Sequence, residues 1–315
     1  MSPTLIGLSN LIAAVLFIWT KSDLSSPVTA RRGTMLCMIG MILVVVTTFL
    51  LPEVKFYSKI ITGILLGAFI GTAIAKRAQM TALPQLIALF NGFVGLGGVF
   101  VSIAAFFDPA PQGLGQIGKI AAVPMIELGL SALISAVTFT GSVVAYAKLQ
   151  GLINNNFLNF KKQFYFNIAL LIASLIVTAL LPVTQSGNML FLLIGLSFLL
   201  GVTLVTPIGG ADMPVVISML NAYSGFASVA VGFTLQNTLM IIVGSLIGLS
   251  GMILSYIMCK NMNRSFFNVI VGGFGDTETA GGTAVPHDKN VRIGSADDAA
   301  FIMKNAESVI IVPGY

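Results

Sequence analysis

Charged side chains are scarce in this sequence: they make up 9% of 315 residues, where a soluble domain carries about 25%. Histidine and tryptophan occur once each and cysteine twice. Two cysteines, Cys37 inside an apolar run and Cys259 at the end of another, build neither a disulfide framework nor a thiolate metal site. The one histidine, His287, stands in a polar stretch and reads as a solvated linker residue. The net charge of +5 raises nucleic acid as a partner. No basic cluster with interleaved aromatics supports that, so no nucleic-acid partner is expected.

Apolar residues are what the sequence has instead. They make up 56% of the chain, more than one soluble core of this length can hide. A lipid bilayer removes the problem, because apolar surface can face it. Nine apolar segments are expected to span it, near 4–20, 34–51, 58–75, 84–107, 120–147, 165–182, 189–207, 214–235 and 238–258. The first lacks a basic leader and a small-residue cleavage site, so it reads as a retained span. Links as short as Gln236-Asn237 force antiparallel neighbours.

Cations set the expected orientation. With the N-terminus outside, the inner loops hold Lys21, Arg31, Arg32, Lys76, Arg77, Lys148, Lys161 and Lys162, and Lys260 and Arg264 follow the last span. The outer loops hold only Lys55, Lys59 and Lys119. That bias predicts an inner-membrane, multi-pass protein with the N-terminus outside and the C-terminus cytoplasmic. Small residues predict close helix packing at Gly63, Gly67 and Gly71, at Gly244 and Gly248, and at Gly92, Gly95, Gly97 and Gly98.

The fold class expected is an all-α membrane protein, a bundle of about nine transmembrane helices, with a short cytoplasmic tail that begins an α/β Rossmann-like domain. Residues 1–260 form the membrane domain and 261–294 a turn-rich linker. Residues 295–315 begin the further domain. There Ser295 opens a helix with Asp298 placed for a capping box, and residues 308–312 read as a buried strand. One strand cannot satisfy its own backbone, so the sequence is expected to break off inside a larger domain.

Polar groups within spans are candidates for function. Glu127 is the only carboxylate well inside a span, and must be protonated, paired or wet. Asn91 and Asn221 lie at similar depths in the fourth and eighth spans. They read equally as the lining of a shared water-filled cavity or as hydrogen-bonding glue between helices. Ser142 reads first as a hydroxyl bonded to its own helix. Asp212 precedes Pro214 and is placed to cap the eighth helix.

At this loop a family resemblance becomes legible. The run Gly209-Gly210-Ala211-Asp212-Met213-Pro214-Val215-Val216, continuing through Ser218 to Gly225, resembles the beta subunit of proton-translocating NAD(P) transhydrogenase. So do residues 137–144, 254–260 and 262–266, and Gly272-Gly273-Phe274-Gly275. The matching stretch covers residues 84–315, with looser similarity earlier.

The resemblance implies hydride transfer between NAD(H) and NADP(H), coupled to proton movement through the membrane domain. It implies an alpha-subunit partner and a homo-oligomer of the alpha–beta unit. No nucleotide is expected on this chain alone. By position, Asn91, Glu127, Ser142 and Asn221 match the family's proton path, and Asp212 and Arg264 match its surface toward the nucleotide domain. Gly314 matches the start of the phosphate loop, of which only Gly314-Tyr315 is present.

One departure stands out. Many members carry histidine where this chain has Asn91, and a carboxamide does not titrate as imidazole does. Either a partner supplies the group, or Glu127 serves, or coupling is lost. The alternatives are a small-cation transporter or channel, and a degenerate non-catalytic fragment of the same subunit.

Overall fold

The computed structural model describes residues 3–51, 56–79, 82–116, 118–153, 162–209, 212–263, 265–266 and 296–310. Among the described residues, nine helices are long and apolar enough to cross a membrane. They are α1 (Pro3–Asp23), α2 (Ala30–Phe49), α3 (Tyr57–Arg77), α4 (Leu83–Phe107), α5 (Ala122–Leu149), α6 (Gln163–Thr184), α7 (Gly187–Val205), α8 (Met213–Thr234) and α9 (Thr238–Asn261). The expected segments fall on these helices in order, with ends displaced by a few residues.

Local chemistry sets several boundaries. Prolines in the first turns of α4 and α8 lose no intrahelical bond, because those amides have no partner there. Asn237 caps α9, its side chain accepting from Met240 N at 3.2 Å. Gln185, in a left-handed conformation after α6, closes the start of α5. Its amide accepts from Ile120 N at 3.2 Å and donates to Ile120 O at 3.0 Å. A two-stranded antiparallel hairpin, β1 (Gly115–Gln116) and β2 (Lys119–Ile120), lies in the α4–α5 connection.

Helix α5 is the hub. It packs against α4, α6, α7 and α8, while α8 also packs on α4 and α9, and α1 joins α2 to α9. Buried Leu128, Leu190 and Leu193 centre one apolar cluster, and Val205, Met213 and Leu220 another. Outward-facing residues such as Leu65, Phe100 and Ile176 are large, apolar and exposed, a surface suited to lipid rather than water.

Backbone contact through glycine holds α8 to α9. A Cβ on Gly251 would come within 2.8 Å of Ala222 N and 2.9 Å of Ser218 O. A Cβ on Gly244 would lie 2.8 Å from both Gly225 O and Val229 N, the close approach that the small-residue spacing predicts. The stripe on α3 departs from that expectation among the described residues: Gly63, Gly67 and Gly71 meet no neighbour there, and α3 buries no residue. Spacing selects a smooth helix face but supplies no partner for it.

The chain divides into two units, residues 1–274 and 275–315. In the second, α10 (Ala296–Asn305) has Asp297 and Asp298 in its first turn and Lys304 in its last, the charge order that suits a helix dipole. Ser295 lies outside the described residues. The expected strand is absent over residues 308–310, where Val309 and Ile310 are exposed. A lone segment has no ladder to join.

Candidate functional site

The α4–α5 seam is where polar groups gather. A Cβ on Gly95 would lie 2.7 Å from both Ser135 O and Phe139 N, so the two backbones nearly touch. Gly92 faces Ser142, and Gly98 faces Ser135. On α5, Glu127, Ser131, Ser135, Thr138 and Ser142 follow one another at three- or four-residue steps, which places them on one helix face. Fifteen residues of helix separate the ends of that stripe, about 22 Å at helical rise.

Hydrogen bonding along the seam is incomplete. Ser102 Oγ donates to Gly98 O at 2.9 Å and lies 3.0 Å from Ser131 Oγ. Thr138 bonds back to Ile134 O. By contrast, Ser135 Oγ, Ser142 Oγ and Asn91 Nδ2 are buried without a protein hydrogen-bond partner. A buried hydroxyl or amide left unmade costs about 1–3 kcal/mol, so such groups mark places that water or a transferring proton would satisfy. Ser142 therefore departs from expectation, since it makes no bond to its own helix.

Helix α8 completes the cytoplasm-predicted half of the site. Ser224 Oγ reaches Asn221 O at 2.8 Å and Asn91 Oδ1 at 3.5 Å, the latter at the outer limit of a hydrogen bond. Asn91 is buried and Asn221 half-buried. Gly92 of α4 thus meets Ser142 of α5, and its sequence neighbour Asn91 reaches α8 through Ser224. Glu127 stands apart at the other end of α5, half-buried, with no ion pair among the described residues.

Asp212 occupies the N-cap position of α8, but its side chain makes no cap hydrogen bond. Its backbone, at φ −91° and ψ −2°, is not the extended conformation that brings an N-cap side chain over the first turn. The carboxylate lies within electrostatic reach of Cys259 at the end of α9. Arg264, Gly314 and His287 lie outside the described residues. Among the described residues, no group of three or more His, Cys, Asp or Glu could hold a metal.

Sequence reasoning passed over Ser102, Ser131, Ser135 and Ser224. The step from Glu127 to Ser131 to Ser135 was the available signal. It also passed over Gln163 and Asn167, and counted Lys148 only as a loop cation; all three are buried at the same end of the bundle as Asp212. Gln163 donates to Thr203 O at 2.7 Å, and Asn167 to the same carbonyl at 3.4 Å.

Comparison with known proteins decides the family. The family model for the NAD(P) transhydrogenase beta subunit matches residues 6–315. Two relatives named NAD(P) transhydrogenase subunit beta, from Rhodospirillum rubrum and from a designated strain of it, are each 49% identical over 318 positions, covering all of this chain and 68% of the relative. The chain belongs to the NAD(P) transhydrogenase beta subunit family. It is a membrane subunit of a transhydrogenase.

Proposed function

We propose that the seam between α4, α5 and α8 is the proton path by which this subunit couples hydride transfer between NAD(H) and NADP(H) to proton movement. The observation that supports this most is the row of buried polar groups without protein partners, Asn91, Ser135 and Ser142, on helices packed backbone to backbone. A packing interface needs no such groups, and a path for protons does.

The roles divide by position. Glu127, half-buried at one end of the α5 stripe, is the ionisable group that takes or gives the proton there. Asn91, Ser142 and Asn221 hold water at the other end, on the cytoplasmic side by the cation bias. Asp212 and Arg264 face the nucleotide-binding machinery. No histidine lies in the spans, so either an alpha-subunit helix supplies a titrating group for the inner half, or Glu127, at the opposite end, serves the whole path. A homo-oligomer of alpha–beta units is the assembly this reading takes.

The residues 295–315, with Gly314, are the start of the NADP(H)-binding domain in this reading. The nucleotides are substrates of the whole complex and supply the hydride chemistry. This chain's own residues bind, orient and pass protons. A proton crossing the membrane gains about 2.3 kcal/mol per 100 mV, enough to bias a two-state equilibrium about fiftyfold.

The test is Glu127→Gln in the complete complex, reconstituted in proteoliposomes. The expected result is slowed proton uptake during coupled hydride transfer, with the complex still assembled. Unchanged proton uptake and turnover would remove Glu127 from the path. Steady cation flux with no nucleotide present would instead favour a transporter.

A further inference from the structure

Lys148 is buried near the end of α5, with 8% of its surface exposed, and nothing in the proton path uses it. Its ammonium donates to Ile208 O at 2.9 Å and, at a shorter distance, to Thr206 O. Both carbonyls lie just past Val205, the last residue of α7, in the turn that leads to Asp212 and α8. The only ion pair between described residues is that of Arg32 with Asp23, so carbonyl oxygens meet the charge of Lys148. The negative end of the α7 dipole adds to them. An ammonium carries three donors and no acceptor, so it fits a set of converging carbonyls as a cross-brace.

The brace joins two parts of the site. Lys148 lies six residues beyond Ser142 on α5, about 9 Å along the helix. The turn it holds precedes the N-terminus of α8, which carries Asn221 and Ser224. The neighbouring α4 is tied to the same end of α5, with Gln85 donating to Leu149 O at 3.0 Å and Gln150 donating to Gln85 at 2.9 Å. The ends of α4, α5 and α7 are thus fastened together through side-chain amides and one buried cation.

We propose that Lys148 is a positioning residue that fixes the α7–α8 turn to α5, so that Asp212 and the start of α8 move only with the helix bearing the buried serines. This rests on the proton-path reading, because only then does rigid linkage of the two matter for coupling. Without the brace, the turn shifts independently, and protons and hydride transfer lose their fixed ratio.

The experiment uses the complete complex in proteoliposomes, with Cys37 and Cys259 replaced by alanine. Gly209, whose added Cβ would meet no neighbour among the described residues, is changed to cysteine as a reporter of the turn. Lys148→Met keeps most of the stem and removes the donors, and Lys148→Arg restores donors and charge. The expected result is a several-fold faster reaction of Gly209→Cys with a membrane-impermeant maleimide in Lys148→Met. Protons moved per hydride should fall roughly tenfold, within the range of a typical coupling energy, and Lys148→Arg should recover both.

Should Lys148→Met fail to assemble, Lys148→Gln, which keeps a donor without charge, is read in the same assays. An unchanged labelling rate or an unchanged proton-to-hydride ratio in the assembled variant overturns the proposal. If the turn is freed while Glu127→Gln and wild type move protons alike, the brace stands and the assignment of Glu127 fails.

Discussion

Ser102 Oγ lies 3.0 Å from Ser131 Oγ, joining α4 to α5 inside the bundle. Each hydroxyl is almost fully buried. A hydrogen bond between spans is worth about 0.6 kcal/mol on average and up to about 1.7. A double-mutant cycle with Ser102→Ala and Ser131→Ala, read by unfolding in mixed micelles, should return a coupling in that range. Additive effects would mean that the hydroxyls do not interact.

Gly95 and Gly97 make a matched pair of opposite expectation. A methyl group on Gly95 would press on Ser135 O and Phe139 N, both backbone atoms at 2.7 Å, while one on Gly97 meets nothing within 4 Å. Gly95→Ala should therefore destabilise the bundle by about 1–3 kcal/mol, the usual cost of overpacking. Gly97→Ala should be neutral or slightly stabilising through helix propensity. Thermal melting of the detergent-solubilised protein separates the two, and equal effects would contradict the contact between α4 and α5.

The cap on α9 offers a local check. Asn237 accepts from Met240 N at 3.2 Å, and loss of an N-cap side chain costs about 1 kcal/mol. Asn237→Ala should lower the melting temperature, and Asn237→Asp should retain most of it. Hydrogen exchange at the first turn of α9 should accelerate in the alanine variant alone.

Much of the fold was legible because lipid imposes a simple rule. A run of about twenty apolar residues must be helical, since its backbone polar groups have no other partners. The segment expected at 58–75 is α3, Tyr57–Arg77, and that at 120–147 is α5, Ala122–Leu149. The site was legible only in part. Asn91, Glu127 and Asn221 announce themselves, because a carboxamide or carboxylate is conspicuous in an apolar run.

Serines do not announce themselves. Ser135 and Ser174 look alike in the sequence, yet Ser174 bonds Leu170 O at 2.9 Å while Ser135 Oγ is buried without a protein partner. The difference is one of side-chain direction: Ser174 turns back on its own helix, whereas Ser135 Oγ faces Gly98 of α4, a neighbour that its own segment does not reveal. Lys148 was legible only as a cation at the end of its helix. It counts as a loop cation by position, but its long stem carries the charge under the α7–α8 turn. The α3 glycines erred in the other direction, since a spacing suited to packing has no neighbour among the described residues.

Ser174 also supplies the control for the central claim. Its hydroxyl is buried like that of Ser135, but it lies on α6 and is satisfied within its own helix. The decisive measurement is proton uptake during NADPH-driven reduction of NAD+ by the reconstituted complex. It compares Ser135→Val, Ser142→Val and Ser174→Val at matched assembly. A proton path along α4, α5 and α8 predicts that the first two lose most of their proton movement and the third retains it. Equal retention in all three would contradict it.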